Sequence, residues 1–90
     1  MNSVVLNEGQ GRYELTEGGA VAIAAFEPHG DSLTFSHTLV PEALRGRGIG
    51  GRLIAGALDD VRARGRMVVP LCPFVARFID DNPAYRDLVA

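Results

Sequence analysis

A glycine- and arginine-rich turn between a strand and a helix is the feature that most constrains the fold of this 90-residue chain. It runs from Val40 to Leu53 and reads Val-Pro-Glu-Ala-Leu-Arg-Gly-Arg-Gly-Ile-Gly-Gly-Arg-Leu. Glycines let the backbone bend sharply and come close to a ligand. The first amides of a helix have no partners within the helix, and the helix dipole favours negative charge near them. The turn is therefore a candidate site for a phosphate or pyrophosphate group.

The residues around the glycines separate this turn from two familiar phosphate loops. No Lys-Ser or Lys-Thr pair follows the glycines, which argues against a nucleoside triphosphate P-loop. A dinucleotide-binding Rossmann unit is also disfavoured, because the helix does not lead to a parallel strand that carries an acidic residue for the ribose. A tight connection that binds nothing is the remaining alternative, since glycine-rich turns of this kind are common.

The charge distribution argues for a small anionic ligand. The net charge is −2, which disfavours broad binding to nucleic acid. Six of the nine basic residues nevertheless fall between Arg45 and Arg66. No apolar run is long enough to span a bilayer, no secretory signal is visible, and the single cysteine excludes an internal disulfide. We therefore expect a cytoplasmic protein without a membrane partner or a metal site.

Hydrophobic periodicity predicts one α+β domain over residues 1–90, built on a mixed sheet. Strands at 3–6, 11–15, 20–27 and 32–40 follow one another at hairpin spacing, with turns at 7–11, 17–19 and 28–31, which indicates an antiparallel meander. A helix over 48–64, with Gly65 as its C-cap, then crosses to a fifth strand at 66–70 that should lie parallel to the fourth. A short helix over 73–81 follows, and we expect Asn82 to cap a last helical turn that begins at Pro83.

Two side chains are candidates for chemistry. Cys72 precedes Pro73, a suitable first residue of a helix, so the thiol is expected at a helix N-cap, where the dipole lowers its pKa. The alternative is a buried cysteine that acts only as a small hydrophobe.

His37 lies in the fourth strand, and histidine is the usual proton carrier near neutral pH. Simple alternation in that strand predicts two faces: Leu33, Phe35, His37 and Leu39 on one, and Thr34, Ser36, Thr38 and Val40 on the other.

The spacing of the turn resembles a known acyl-CoA loop. Arg45-x-x-Gly48-x-Gly50 is similar to the pyrophosphate loop of the GNAT superfamily of N-acetyltransferases. The resemblance extends to the His-Thr-x-Val-Pro segment at 37–41, the Cys-Pro-Phe-Val segment at 72–75 and the ending at 82–89, which together resemble a small, single-domain GNAT-like family. The match covers about residues 10 to 90, and the ordered combination of segments is more specific than the loop alone.

The resemblance implies an N-acetyltransferase with the GNAT fold, which takes acetyl-CoA as its acyl donor, releases coenzyme A and acetylates an amine of unknown identity. The pantetheine arm is expected on the backbone of the fourth strand, and the pyrophosphate on amides of the turn and helix. The expected binding residues are Leu39, Val40, Arg45, Arg47, Gly48, Ile49, Gly50, Gly51 and Arg52. If the fourth and fifth strands are adjacent, His37 and Cys72 are expected to approach each other in the cleft between them. Two mechanisms stay open: His37 deprotonates the amine for direct attack, or it activates Cys72 to take the acyl group first.

The chain departs from ordinary GNAT proteins in its size. Those proteins usually insert one or two helices between the first two strands, whereas this sequence leaves about four residues there. The acceptor site is therefore expected to be open, or to be completed by a partner or a second subunit, in a monomer or weak homodimer. Two rival functions remain: a coenzyme A-binding module without transferase activity, and a structural domain whose glycine turn binds no ligand.

Overall fold

The computed structural model describes residues 4–90, which form a five-stranded sheet and two α-helices. Their order along the chain is β1 Val4–Asn7, β2 Arg12–Glu17, β3 Ala20–His29, β4 Ser32–Leu39, α1 Ile49–Ala63, β5 Met67–Pro70 and α2 Pro73–Asp81. Three 3₁₀ turns lie at Glu8–Gln10, Glu42–Leu44 and Pro83–Leu88. Within the described residues, no helix has the length and apolar content that crossing a membrane requires.

The sheet has the predicted topology. The strand order is β1-β2-β3-β4-β5, with antiparallel pairing up to β4 and a parallel pairing of β4 with β5. A helical crossover between neighbouring strands requires that parallel arrangement, so the mixed α+β fold is confirmed. Ser3, which was expected to begin the first strand, lies outside the described residues. The predicted turn at 28–31 is shorter than expected, because β3 runs on to His29 and only Gly30 and Asp31 turn.

Helix α1 packs against the sheet through one apolar stripe. Its stripe is fully buried and consists of the residues expected from helical spacing: Ile49, Leu53, Ile54, Ala57, Leu58 and Val61. Gly65 has a φ of 68° and ends the helix. The amide of Gly65 donates to Arg62 O at 3.1 Å and the amide of Arg66 to Val61 O at 3.0 Å, which is the paired pattern of a Schellman cap.

The end of the chain is tied to α1 and β5. Arg62 donates to both carboxylate oxygens of Asp87, at 2.7 and 2.9 Å, and to Ala84 O at 2.8 Å. The amide of Ala90 donates to Val68 O at 2.9 Å. Pro83 begins the last helical turn as predicted, but Asn82 does not cap it with its side chain. The Asn82 amide group donates instead to Phe78 O at 2.8 Å, at the end of α2.

One face of the sheet carries the core and the other is largely uncovered. Tyr13, Leu33, Phe35 and Val68 belong to a single buried cluster together with residues of both α-helices. On the opposite face, the aligned residues of four neighbouring strands are Val5, Glu14, Ile23 and Leu39. Val5 and Leu39 are 60% and 48% exposed. As expected, the connection between β1 and β2 is short: it holds one 3₁₀ turn, Glu8–Gln10, and no α-helix.

A β-bulge in β4 changes which side chains share a face. Ala25 pairs with His37 and Phe26 pairs with Phe35, so one step on β3 corresponds to two on β4 and Ser36 is the extra residue. The prediction of simple alternation is therefore wrong beyond Phe35. Thr38 and Val40 turn toward the core side, where Val40 packs against the buried cluster, whereas His37 and Leu39 are exposed on the other face.

Candidate functional site

The two parallel strands separate immediately after the bulge. The pairing of β4 with β5 ends at Phe35 and Pro70, and a backbone hydrogen bond of 2.8 Å follows from the Cys72 amide to Phe35 O. Strand β4 continues to Leu39, paired only with β3, while the segment after β5 turns into α2. A bulge bends its strand and increases the local twist, which accounts for the separation at this point. A notch therefore opens between the end of β4 and the start of α2.

The glycine turn forms the next part of the site. Gly46 and Gly48 have φ values of 80° and 70°, in the left-handed region that glycine adopts without strain. Gly48 is the N-cap of α1, and its carbonyl accepts the first helical hydrogen bond from the Arg52 amide at 3.1 Å. No side chain caps this end of the helix. The first amides of α1 are therefore left for an external acceptor.

A groove of about 320 Å³ lies along this turn. Its lining residues are Val40, Leu44, Arg45, Gly46, Gly48, Ile49, Gly50, Gly51 and Phe74. The groove therefore includes Val40, Arg45 and the run from Gly48 to Gly51 among the residues predicted to bind the donor. Leu39, Arg47 and Arg52 do not line it. Leu44, Gly46 and Phe74 also line the groove, but the sequence analysis did not predict them as site residues. The signal for Phe74 was its place in the Cys-Pro-Phe-Val segment.

Phe74 explains one of the helical glycines. Gly50 has ordinary helical geometry, so its backbone does not require glycine. A Cβ atom at Gly50 would lie 2.7 Å from Phe74 Cζ, which is too close for an undisturbed contact. A Cβ atom at Gly51 would lie 3.9 Å from Phe78 Cε1, an ordinary contact distance. Gly50 therefore makes room for the ring that closes one side of the groove, whereas Gly51 is free of such a constraint.

The arginines of the turn have different surroundings. Arg45 donates from Nε to Val40 O at 3.3 Å, which joins the turn to the end of β4. Arg52 donates to Glu17 Oε1 at 3.2 Å and so points toward the β2–β3 turn. Arg47 is exposed and has no hydrogen bond or ion pair to another residue in the described chain. Arg47 therefore retains a free positive charge near the helix N-terminus, and Arg52 shares its charge with a carboxylate.

Cys72 occupies the N-cap of α2, as predicted. Its side chain is 5% exposed, and Sγ lies 3.4 Å from Thr38 Oγ1 across the notch. Burial alone would raise the pKa of the thiol, but the Thr38 hydroxyl and the amides of Val75 and Phe74 together lower that pKa below its ordinary value. None of the helix amides meets the geometry of a full capping hydrogen bond. The Thr38 hydroxyl is thus the side-chain group that shares a hydrogen bond with the sulfur.

His37 does not accompany Cys72. The bulge places His37 on the uncovered face of the sheet, opposite to the face on which Thr38 contacts the thiol. The expectation that His37 and Cys72 meet in one cleft is therefore wrong, and Thr38 takes the place expected for the histidine. Tyr85 has a packing role, because its ring contacts Phe78 and its hydroxyl donates to Asp59 Oδ1 at 2.9 Å.

The described residues thus form a mixed α+β sheet whose two parallel strands separate beside a helix N-terminus that no side chain caps. A family model described as GCN5-related N-acetyl-transferase matches residues 12–88. The chain therefore belongs to the GCN5-related N-acetyltransferase family. The solution NMR structure of a GCN5-like protein from Staphylococcus aureus is similar with a TM-score of 0.72, and the match covers 100% of this chain and 91% of the other. At 19% identity, that likeness shows the fold alone.

Proposed function

We propose that this protein transfers the acetyl group of acetyl-CoA to an amine. The observation that carries the proposal is the groove beside the uncapped start of α1, which meets the notch between β4 and α2. A helix N-terminus favours a pyrophosphate. The edge of β4 that no longer pairs with β5 offers backbone hydrogen-bond donors and acceptors to the amides of a pantetheine arm. Acetyl-CoA contains a pyrophosphate and an amide-containing pantetheine arm, joined in series to a thioester. Family membership supports the same reaction class.

The proposed donor complex uses the turn for the pyrophosphate. The amides of Ile49, Gly50 and Gly51 lie in the first turn of α1, where none has an acceptor within the helix. Arg47 and Arg52 would add positive charge. Arg52 would either break its ion pair with Glu17 or bind the pyrophosphate while keeping that ion pair. The pantetheine arm would then follow the free side of β4 toward Leu39 and Val40. This route delivers the thioester to the notch that contains Thr38 and Cys72.

The two faces of the sheet imply separate roles for the two candidate groups. Cys72 lies on the donor side, where its lowered thiol pKa favours a nucleophile or a proton carrier for the departing coenzyme A. His37 lies on the open side, from which an amine would enter the opening between β4 and α2 and meet the thioester from the face opposite the donor. We propose that His37 takes the proton of the amine, and that it does so without activating Cys72. Direct transfer and an acyl-cysteine intermediate both remain compatible with this arrangement.

The first experiment is isothermal titration calorimetry with acetyl-CoA and with coenzyme A, followed by a thiol-release assay over a panel of primary amines. The proposal expects micromolar binding of both ligands and acceptor-dependent release of coenzyme A. Binding without any release would support the rival of a coenzyme A-binding module. A ligand at 100 times its Kd stabilises a fold by about 2.7 kcal/mol, so the absence of both heat and thermal shift would indicate the purely structural alternative.

Two substitutions then separate the roles. Cys72→Ala should leave donor binding nearly intact and abolish release if the thiol takes the acyl group, and mass spectrometry should detect an acetylated wild-type cysteine during turnover. His37→Gln should keep donor affinity and lower kcat by about 100-fold or more, the usual size of a lost general base. Normal turnover by Cys72→Ala would exclude the covalent route, and normal turnover by His37→Gln would exclude the proposed base.

A further inference from the structure

Three apolar residues adjoin His37 on the uncovered face of the sheet. Ala25 is the partner of His37 in the β3–β4 pairing, and Ile23 is the partner of Leu39, two positions further along β4. None of the three belongs to the buried cluster on the other face, and Leu39 is 48% exposed. Neighbouring strands lie about 4.8 Å apart, so all three are close to the group proposed to take the proton of the amine. Ala25, Ile23 and Leu39 thus form an apolar floor beside the notch.

A further apolar residue, Leu71, lies at the opposite margin of the notch. It joins β5 to Cys72 and is 68% exposed, more than any other large apolar residue that the structure describes. Exposed apolar residues gathered around one opening, unlike single ones, indicate a binding surface. An acceptor that enters from the uncovered face therefore passes between the ends of two strands that are each followed or completed by an exposed leucine.

The two carboxylates that the strands place on this face are either paired or solvated. Glu14 accepts hydrogen bonds from Arg12 Nε at 2.7 Å and Asn7 Nδ2 at 3.0 Å, which hold the pKa of its carboxyl below the ordinary value. Glu27 pairs with the first half of β4, on the side of His37 away from the notch, and its side chain is 73% exposed. A carboxylate so well solvated attracts an ammonium group only weakly. The floor therefore offers apolar contact without a free charge.

We propose that the acceptor is a small primary amine with an apolar body and no second charged group; the proposal rests on the proposed function. The amine nitrogen bonds to the acetyl carbon at the notch, His37 takes the proton that the nitrogen loses, and the carbon–sulfur bond breaks to release the thiolate of coenzyme A. The body of the amine lies on Leu39 and Ile23, across β4 and β3. The floor ends at the ion-paired Glu14 in β2, two strand spacings or about 10 Å from β4.

The test uses three six-carbon amines that differ only in the far end of the chain: hexylamine, 1,6-diaminohexane and 6-aminohexanoate. Hexylamine should have a kcat/KM about tenfold or more above the other two, because a charge on an apolar floor loses hydration without gaining a partner. The diamine has two reactive ends, so a twofold statistical advantage favours it and makes the comparison stricter. Ethylamine should be about tenfold less effective than hexylamine, since a fully buried methylene group contributes about fourfold and this floor covers only one side of the chain.

Variants of the floor measure the ratio of kcat/KM for hexylamine to that for ethylamine. Ile23→Thr keeps the branched shape of the side chain and removes apolar surface, so the ratio should fall by about threefold. Leu39→Thr should lower it similarly and serves if the first variant does not fold. Val5→Thr is the matched control, because Val5 is on the same face in β1, three strand spacings or about 14 Å from β4. It should keep the wild-type ratio, in which changes of donor affinity cancel.

The outcomes separate this proposal from the function on which it rests. An equal or higher kcat/KM with either charged-tail amine would overturn the apolar acceptor and leave the transferase intact. An unchanged ratio in both Ile23→Thr and Leu39→Thr would also overturn it, because the chain would not lie on the floor. Release of coenzyme A with other primary amines but none of these four would overturn this proposal alone. No release with any amine would overturn the proposed function and this proposal together.

Discussion

The glycine turn and the second half of β4 form two walls of the same site, but they depend on different kinds of information. The turn is a local structure: positive φ at Gly46 and Gly48 and the start of α1 all follow from neighbouring residues. The end of β4 is set by pairing with β3, where one extra residue exchanges the two faces of the strand. The backbone of a glycine turn can thus be predicted from its own sequence, whereas the direction of a strand side chain beyond a bulge cannot.

The largest expected effect tests the turn as an anion site. Gly48→Asp should lower acetyl-CoA affinity by about 100-fold or more, because two like charges 4 Å apart repel by about 4 kcal/mol near a protein surface. Gly48→Asn is the matched control, since asparagine has nearly the same shape and also tolerates the left-handed backbone at φ 70°. Calorimetry should show that the asparagine variant retains most of the affinity. Equal affinities for the two variants would contradict an anion at this helix N-terminus.

Much of the fold was predictable because it depends on short-range patterns. The buried stripe of α1, its end at Gly65, and Pro73 as the first residue of α2 each follow from spacing or from a single residue type. The groove was predictable only in part: the glycines stood out, but Phe74 reaches Gly50 from another helix. The separation of His37 from Cys72 was not predictable, because Ser36 carries no signal that distinguishes a bulged residue from an ordinary strand residue.

Deletion of Ser36 tests whether the bulge in β4 opens the site. The deletion makes the β3–β4 pairing regular and keeps every later side chain on its present face, so the protein should remain folded with a similar melting temperature. The bend that separates β4 from β5 should be lost, and we expect acetyl-CoA affinity to fall by about tenfold as the notch narrows. Calorimetry and thermal melting measure the two effects. Wild-type affinity in a folded deletion variant would show that the bulge does not open the site.

A smaller effect concerns the contact that the bulge creates between Thr38 and Cys72. Thr38→Val preserves the shape of the side chain and removes the hydroxyl 3.4 Å from Sγ. Because that hydroxyl lowers the pKa of the thiol, its loss should raise the pKa and reduce the thiolate fraction at neutral pH. The ultraviolet absorbance of the thiolate against pH measures this shift, with Cys72→Ala as the blank for tyrosine ionisation. An unchanged titration curve would mean that the helix amides alone set the acidity of Cys72.

The smallest effect separates the two helical glycines at the start of α1. Glycine in a helix is less stable than alanine by about 1 kcal/mol, so Gly51→Ala should stabilise the protein by up to about that amount. Gly50→Ala should gain nothing, because its methyl group would meet Phe74 Cζ at 2.7 Å and displace the ring. Denaturant unfolding measures both variants, and equal stabilities would contradict the packing role of Gly50. Nothing in the packing around Gly51 requires a glycine. If Gly51→Ala is more stable than the wild type but binds acetyl-CoA less tightly, then the glycine is there to let the ligand approach the backbone.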